Sequence, residues 1–182
     1  MRKTIPTLII AFLSVFFYQS CSNSSPDTEK VSAMSKEDLV KEIKLLEDTL
    51  KANETKQINL ELAKELIEKS KTYAETYPDD ELSPAYLFRS GNVSVGIGAF
   101  QEAIALFEAV HQNYEDYERA PDALFLEGFT YENHLNDIEN AKKTYEAFLQ
   151  RFPEDQLADQ VRVVLQNLGK SPEELVKGFQ KK

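Results

Sequence analysis

The chain has 182 residues and a formal charge of −10. Residues 1–20 hold Arg2 and Lys3 but no acid, so the remainder carries −12. Such a surface repels phosphate backbones and speaks against nucleic-acid binding. Apolar residues reach 42%, while Gly and Pro number only 6 and 7. That composition can fill a helical core and is too apolar for wholesale disorder. The lone cysteine, Cys21, excludes an intramolecular disulfide and a thiolate metal cluster.

Met1-Arg2-Lys3 is a short cationic start, followed by the apolar run Leu8–Phe17, broken only by Ser14. A membrane-spanning helix needs about 20 apolar residues. This run is too short, and its order of charge then apolar core is that of an export signal over residues 1–20. Tyr18-Gln19-Ser20-Cys21 follows, and it resembles the lipobox of bacterial lipoproteins. The resemblance implies cleavage before Cys21 and acylation of that residue, which becomes the membrane anchor. Ser20 fits the pattern, whereas Tyr18 and Gln19 depart from the family's usual Leu and small residue. The alternative is ordinary cleavage near Ser20 that leaves a free thiol. Ser22 stands where inner-membrane lipoproteins often carry Asp, so the resemblance points to the outer membrane, facing the periplasm. Residues 21–33 then form the anchor and a polar tether, and 34–182 form the folded domain.

Ser35 is placed to cap a first helix, with Asp38 three residues on. Leu39, Ile43, Leu46 and Leu50 then make one apolar stripe. The stripe packs on the next helix or, alternatively, makes 35–51 a self-associating spacer. Asn53-Glu54-Thr55 reads as a turn, and Lys56–Tyr77 as a second helix using Leu60, Ala63, Leu66, Ile67, Tyr73 and Tyr77. Its ending, Tyr77-Pro78-Asp79, returns as Phe152-Pro153-Glu154, and the two prolines stand 75 residues apart. Half of that is a period of 37 to 38.

The period holds elsewhere. Ser83–Gly91 aligns without a gap on Ala120–Gly128, pairing Pro84 with Pro121, Leu87 with Leu124, Phe88 with Phe125 and Gly91 with Gly128. Ala103 and Ala141 open the second helix of each unit, and those helices end at Asn113-Tyr114 and Arg151-Phe152. Leu124, Gly128, Tyr131, Ala141, Tyr145 and Pro153 in one unit, and Leu87, Gly91, Gly98, Phe100, Ala103 and Phe107 in the other, resemble the tetratricopeptide repeat family. Departures are Ser94 for an aromatic, Glu115 for the closing Pro, Glu127 for a usual Leu, and one extra residue in the 133–139 turn. The expectation is an all-α solenoid of helical hairpins, about 7–8 helices by a rough count of apolar stripes. Its clearest units are 83–115 and 120–153. Gly128 and Ala141 are read as close-packing positions, with Tyr131, Tyr145 and Phe148 filling the gap. After Pro153, a helix over 157–168 turns Ala158, Val161, Val164, Leu165 and Leu168 inward and closes at Gly169. Ser171-Pro172-Glu173-Glu174 has the pattern of one more helix start.

No residues form a catalytic constellation, a metal site or a phosphate loop. The two histidines, His111 and His134, are expected at the surface. The reading is non-enzymatic, without cofactor, metal or small-molecule substrate. By position, the repeat resemblance implies a partner-binding groove at Phe88, Arg89, Asn92, Asp122, Phe125, Phe129, Glu132 and Asn133. The implied partner is an envelope protein or peptide segment. The order of lipobox, tether and repeats is similar to the repeat lipoprotein of the outer-membrane barrel-assembly machinery. The Arg151–Glu154 ending is similar to the repeat protein of the Tol–Pal system.

Overall fold

The computed structural model describes residues 34–52, 58–171 and 173–174. The signal segment, Cys21, the tether, the 53–55 turn and the chain beyond 174 lie outside those residues. Among the described residues, seven α-helices run in order: α1 (Lys36–Ala52), α2 (Leu60–Thr76), α3 (Leu82–Gly96), α4 (Phe100–Asn113), α5 (Ala120–Asn133), α6 (Ile138–Arg151) and α7 (Ala158–Asn167). The fold is all-α and of the helical-repeat kind.

Each helix packs on the next, and contacts also pass between alternate helices. Glu47 of α1 accepts from Arg89 of α3 at 2.6 Å, and the Arg119 guanidinium, just before α5, covers the Phe88 ring of α3 at 4.0 Å. On the other side, Lys71 of α2 pairs with Glu102 of α4 at 2.9 Å, and Arg151 of α6 reaches His111 of α4. Odd helices therefore form one layer and even helices the other.

The turns between units repeat one backbone hydrogen-bond pattern. Tyr77, Tyr114 and Phe152 each end a helix with φ near −130° (−128, −134 and −127) and donate their N–H to the carbonyl four back. The next links run Tyr77–Asp80–Ser83, Tyr114–Tyr117–Ala120 and Phe152–Asp155–Ala158 by i to i+3 hydrogen bonds. Asp80 and Asp155 each accept the amide two residues on, at 2.9 and 2.8 Å. In the middle turn Tyr117 stands at the equivalent position and shares the backbone links alone. The residue that lands each new helix is small and buried: Ser83, Ala120 and Ala158. Pro84 and Pro121 both sit in first turns, where a missing amide proton costs nothing.

Within a unit the glycines set the helix approach. A Cβ on Gly91 would lie 2.5 Å from the Phe107 ring, and one on Gly128 would lie 2.7 Å from the Tyr145 ring. The extra residue of the 133–139 turn is absorbed by Asn136 at φ +52, after which Asp137 caps α6 by accepting Asn140 N–H at 3.0 Å.

The α1 stripe packs inside the domain: Leu39, Ile43 and Leu46 are buried against Leu66, Tyr73 and Tyr86. Ser35 caps α1 as expected, accepting Asp38 N–H at 3.2 Å. The second helix begins later than expected, at Leu60, because Asn59 accepts both Glu61 N–H and Leu62 N–H. Leu60 itself is exposed, in the first turn of that helix. At the other end, Gly169 reverses the chain at φ +74. Ser171 and Glu174 then exchange the reciprocal bonds of a capping box.

Candidate partner-binding surface

The groove residues divide into three environments. Phe88 is only 1% exposed, so its assignment to a groove wall is corrected. It packs against Phe107, ring centroids 5.9 Å apart, and Arg119 closes over its outer face. Arg89 and Asn92 line a hollow of about 580 Å³ between α1, α2 and α3, floored by Leu50, Leu66 and Val93. Arg89 is held there by Glu47, and Asn92 donates to the Phe88 carbonyl at 3.0 Å. Among the described residues, no α5 side chain lines that hollow.

The remaining five lie on α5. Asp122, Phe125, Phe129, Glu132 and Asn133 recur at three- and four-residue steps along one face. Phe129 is 39% exposed, and Phe125 is half-buried beneath it. The two rings stand 6.4 Å apart, and Phe125 rests 5.9 Å from Tyr145. On the far side the His134 ring meets Phe129 edge-on at 5.9 Å and stacks on Phe100 at 4.5 Å. His134 is thus exposed, as expected, but also fixed in a ladder of rings. Glu132 accepts the Tyr145 hydroxyl at 2.9 Å. Burial first, and that bond second, push the Tyr145 hydroxyl well above the ordinary tyrosine range. Asp122 accepts Arg119 Nε at 2.9 Å, and Asn133 donates to the Phe129 carbonyl. An apolar ridge with polar ends results, backed by a rigid core.

Residues 122–155, the α5–α6 hairpin, match the family model described as Tetratricopeptide repeat. That match covers the Gly128–Tyr145 packing pair and the Phe125–Phe129 ridge. No curated protein matches the chain. With the stacked hairpins, the match makes this a tetratricopeptide-type fold, and such repeats are typically non-catalytic protein-interaction modules. Among the described residues, no three His, Cys, Asp or Glu groups are placed to hold a metal ion. No described helix is long and apolar enough to cross a membrane.

His111 departs from expectation. It is 4% exposed, and its Nε2 lies 2.7 Å from Glu127 Oε2. Glu127, the residue that breaks the repeat pattern, is itself 8% exposed and also takes the Thr144 hydroxyl at 3.5 Å. Arg151 Nη1 approaches His111 Nδ1 at 2.8 Å, and its Nη2 donates to the His111 carbonyl at 2.6 Å. A carboxylate in a core position needs such partners, because burying it unpaired would cost several kcal/mol (~3 or more). The one signal in the sequence was Glu127 standing where the pattern has Leu.

Proposed function

We propose that this protein is a lipid-anchored interaction scaffold of a bacterial cell envelope. Cys21 carries the acyl anchor, residues 22–33 the tether, and the helical repeats hold an envelope protein or peptide segment on the α5 face. The outer membrane, periplasmic side, is the proposed location, and a part in outer-membrane assembly or Tol–Pal-type envelope maintenance is the proposed setting. The observation that carries the interaction reading is the Phe125–Phe129 ridge. An aromatic 39% exposed yet pinned by neighbouring rings is a preorganised anchor that loses little freedom on binding. The spacer reading is weakened because the α1 stripe is spent inside the domain, leaving Leu45 as that helix's exposed large apolar residue.

The test is a photo-crosslinking residue placed at position 129 of the full chain in its own cells, with position 108 on α4 as the comparison. A defined envelope protein crosslinked from 129 alone supports the groove. No adduct, or equal adducts from both positions, removes it. Separately, an unmodified Cys21 thiol in the membrane fraction, read by mass spectrometry, removes the anchor.

A further inference from the structure

We infer that, on the reading that the α5 face is the binding surface, its partner presents an arginine whose guanidinium stacks on the Phe125–Phe129 ridge and pairs with Glu132. The chain holds its own example of such a contact one unit earlier. Phe88, at the position equivalent to Phe125, lies under the Arg119 guanidinium at 4.0 Å. The same guanidinium donates from Nε to Asp122 at 2.9 Å. A ring face below and a carboxylate at the edge together use both properties of that group, a weakly hydrated plane and N–H donors pointing outward within it. Beneath that cover Phe88 is only 1% exposed.

The next unit repeats the ring but not the cation. Arg119 directly precedes Ala120, which lands α5, whereas the residue directly before Ala158 is the uncharged Leu157. Among the described residues, Lys or Arg groups stand over Tyr77, Tyr86, Phe88 and Phe152, and none stands over Phe125 or Phe129. Phe125 accordingly stays half-buried and Phe129 exposed. Charge is left open in the same place. α5 carries Asp122, Glu127 and Glu132 and neither Lys nor Arg. Glu127 is buried against His111, and Asp122 already holds Arg119. Glu132 stands three residues after Phe129, beside it on the helix surface, and accepts the Tyr145 hydroxyl with one oxygen. Among the described residues it has no ion pair, and Arg89, Arg119 and Arg162 are each already paired with a carboxylate. The cation that matches the ridge is therefore left for a partner to supply. An ammonium would satisfy the carboxylate, but it is more strongly hydrated and has no plane to lay on the rings. Arginine fits both features at once.

Fluorescence anisotropy of the full chain with the labelled, blocked peptide Leu-Arg-Leu-Arg-Leu tests this, alongside versions with lysine or neutral citrulline for both arginines. The arginine peptide is expected to bind about tenfold tighter than the citrulline one and about threefold tighter than the lysine one. Glu132→Gln keeps an acceptor for the Tyr145 hydroxyl, and Phe129→Leu keeps apolar bulk at an exposed position, so both should fold. Either is expected to cut the arginine-to-citrulline ratio to about twofold or less. Glu132→Gln should leave the affinity for the citrulline peptide unchanged. An arginine peptide that fails to bind, or binds no better than the citrulline one, overturns the proposal. So does a lysine peptide that matches it, or a preference that survives both variants. Should either variant fail to fold, the three peptides on the wild-type chain decide. The crosslink from position 129 separates the two readings. A defined adduct alongside equal binding of the three peptides removes the arginine alone, whereas absence of the adduct removes the surface and the arginine with it.

Discussion

A missing methyl group holds the two central units together. Gly91 and Gly128 lie in helices, where Ala is favoured by about 1 kcal/mol, yet each sits under a ring buried by the rest of its unit. A Cβ at 128 would stand 2.7 and 2.9 Å from two Tyr145 ring atoms, and Tyr145 is fully buried and tethered to Glu132, so the ring cannot retreat. Overpacking of that kind costs about 1–3 kcal/mol and outweighs the propensity gain. Gly128→Ala is therefore expected to destabilise the fold by about 1 kcal/mol net, read as a lower urea midpoint. Gly96→Ala, whose Cβ would meet only Ile58 Cδ1 at 3.7 Å, is expected to be neutral or mildly stabilising. The Gly128–Tyr145 pair was legible because its signature recurs as Gly91–Phe107 one period earlier. His111 was not legible. Its burial depends on Glu127 sixteen residues away and Arg151 forty residues away, and a single histidine late in a helix carries no mark of either. Phe88 misled for a similar reason: the cation that covers it, Arg119, comes from the turn that leads into the next unit.

At the scale of elements, the turns carry the period more faithfully than the helices do. Helix faces vary, with Ser70 standing where the later units have Phe107 and Tyr145, and the Ser70, Ser90 and Ser94 hydroxyls buried without a hydrogen-bond partner. The links through Tyr77, Tyr114 and Phe152 nonetheless keep one geometry. That is why the spacing of Pro78 and Pro153 revealed the architecture, while helix starts were less exact: Asn59, not Lys56, fixes where α2 begins. The first turn has an added clamp. Asp80 accepts Leu82 N–H, the Tyr73 hydroxyl and the Lys36 ammonium. The Lys36 bond foremost, then the Leu82 amide, hold its carboxyl below the ordinary 3.8. A carboxyl lowered by folding contributes stability that is full above its ordinary value and fades as pH falls through the lowered one. Asp80→Asn is expected to cost about 1 kcal/mol at neutral pH, since one acceptor remains but the charged bond is lost. The decisive reading is the pH dependence: the gap between wild type and variant should narrow steadily as pH falls below 3.8 and through the lowered value. A gap that persists in acid would mean the carboxylate charge is not what Asp80 contributes.

At the scale of the molecule, the core of the described residues is a chain of three clusters rather than one. The first joins α1, α2 and α3, the second α2 to α5, and the third α5, α6 and α7. A stack whose units touch only their neighbours unfolds from its ends, with stability adding from unit to unit. The repeat made the order of the helices and the layer of the ridge readable, whereas which unit of that layer exposes its aromatics was not. Phe88 and Phe125 occupy equivalent positions, and only the residue folded over each decides whether it is core or surface. The stacked order fixes how a local change spreads. Val161 is fully buried where α7 meets α6, and Val161→Ala removes two methyl groups at a cost of about 2 kcal/mol. Because, among the described residues, the cluster that holds α7 does not include α1, the loss should stay local. Amide protection in α6 and α7 is expected to drop by more than about tenfold, while α1 and α2 keep theirs within about twofold. Equal loss at both ends would show that the three clusters open as one cooperative block, and the unit-by-unit account of stability would then fail.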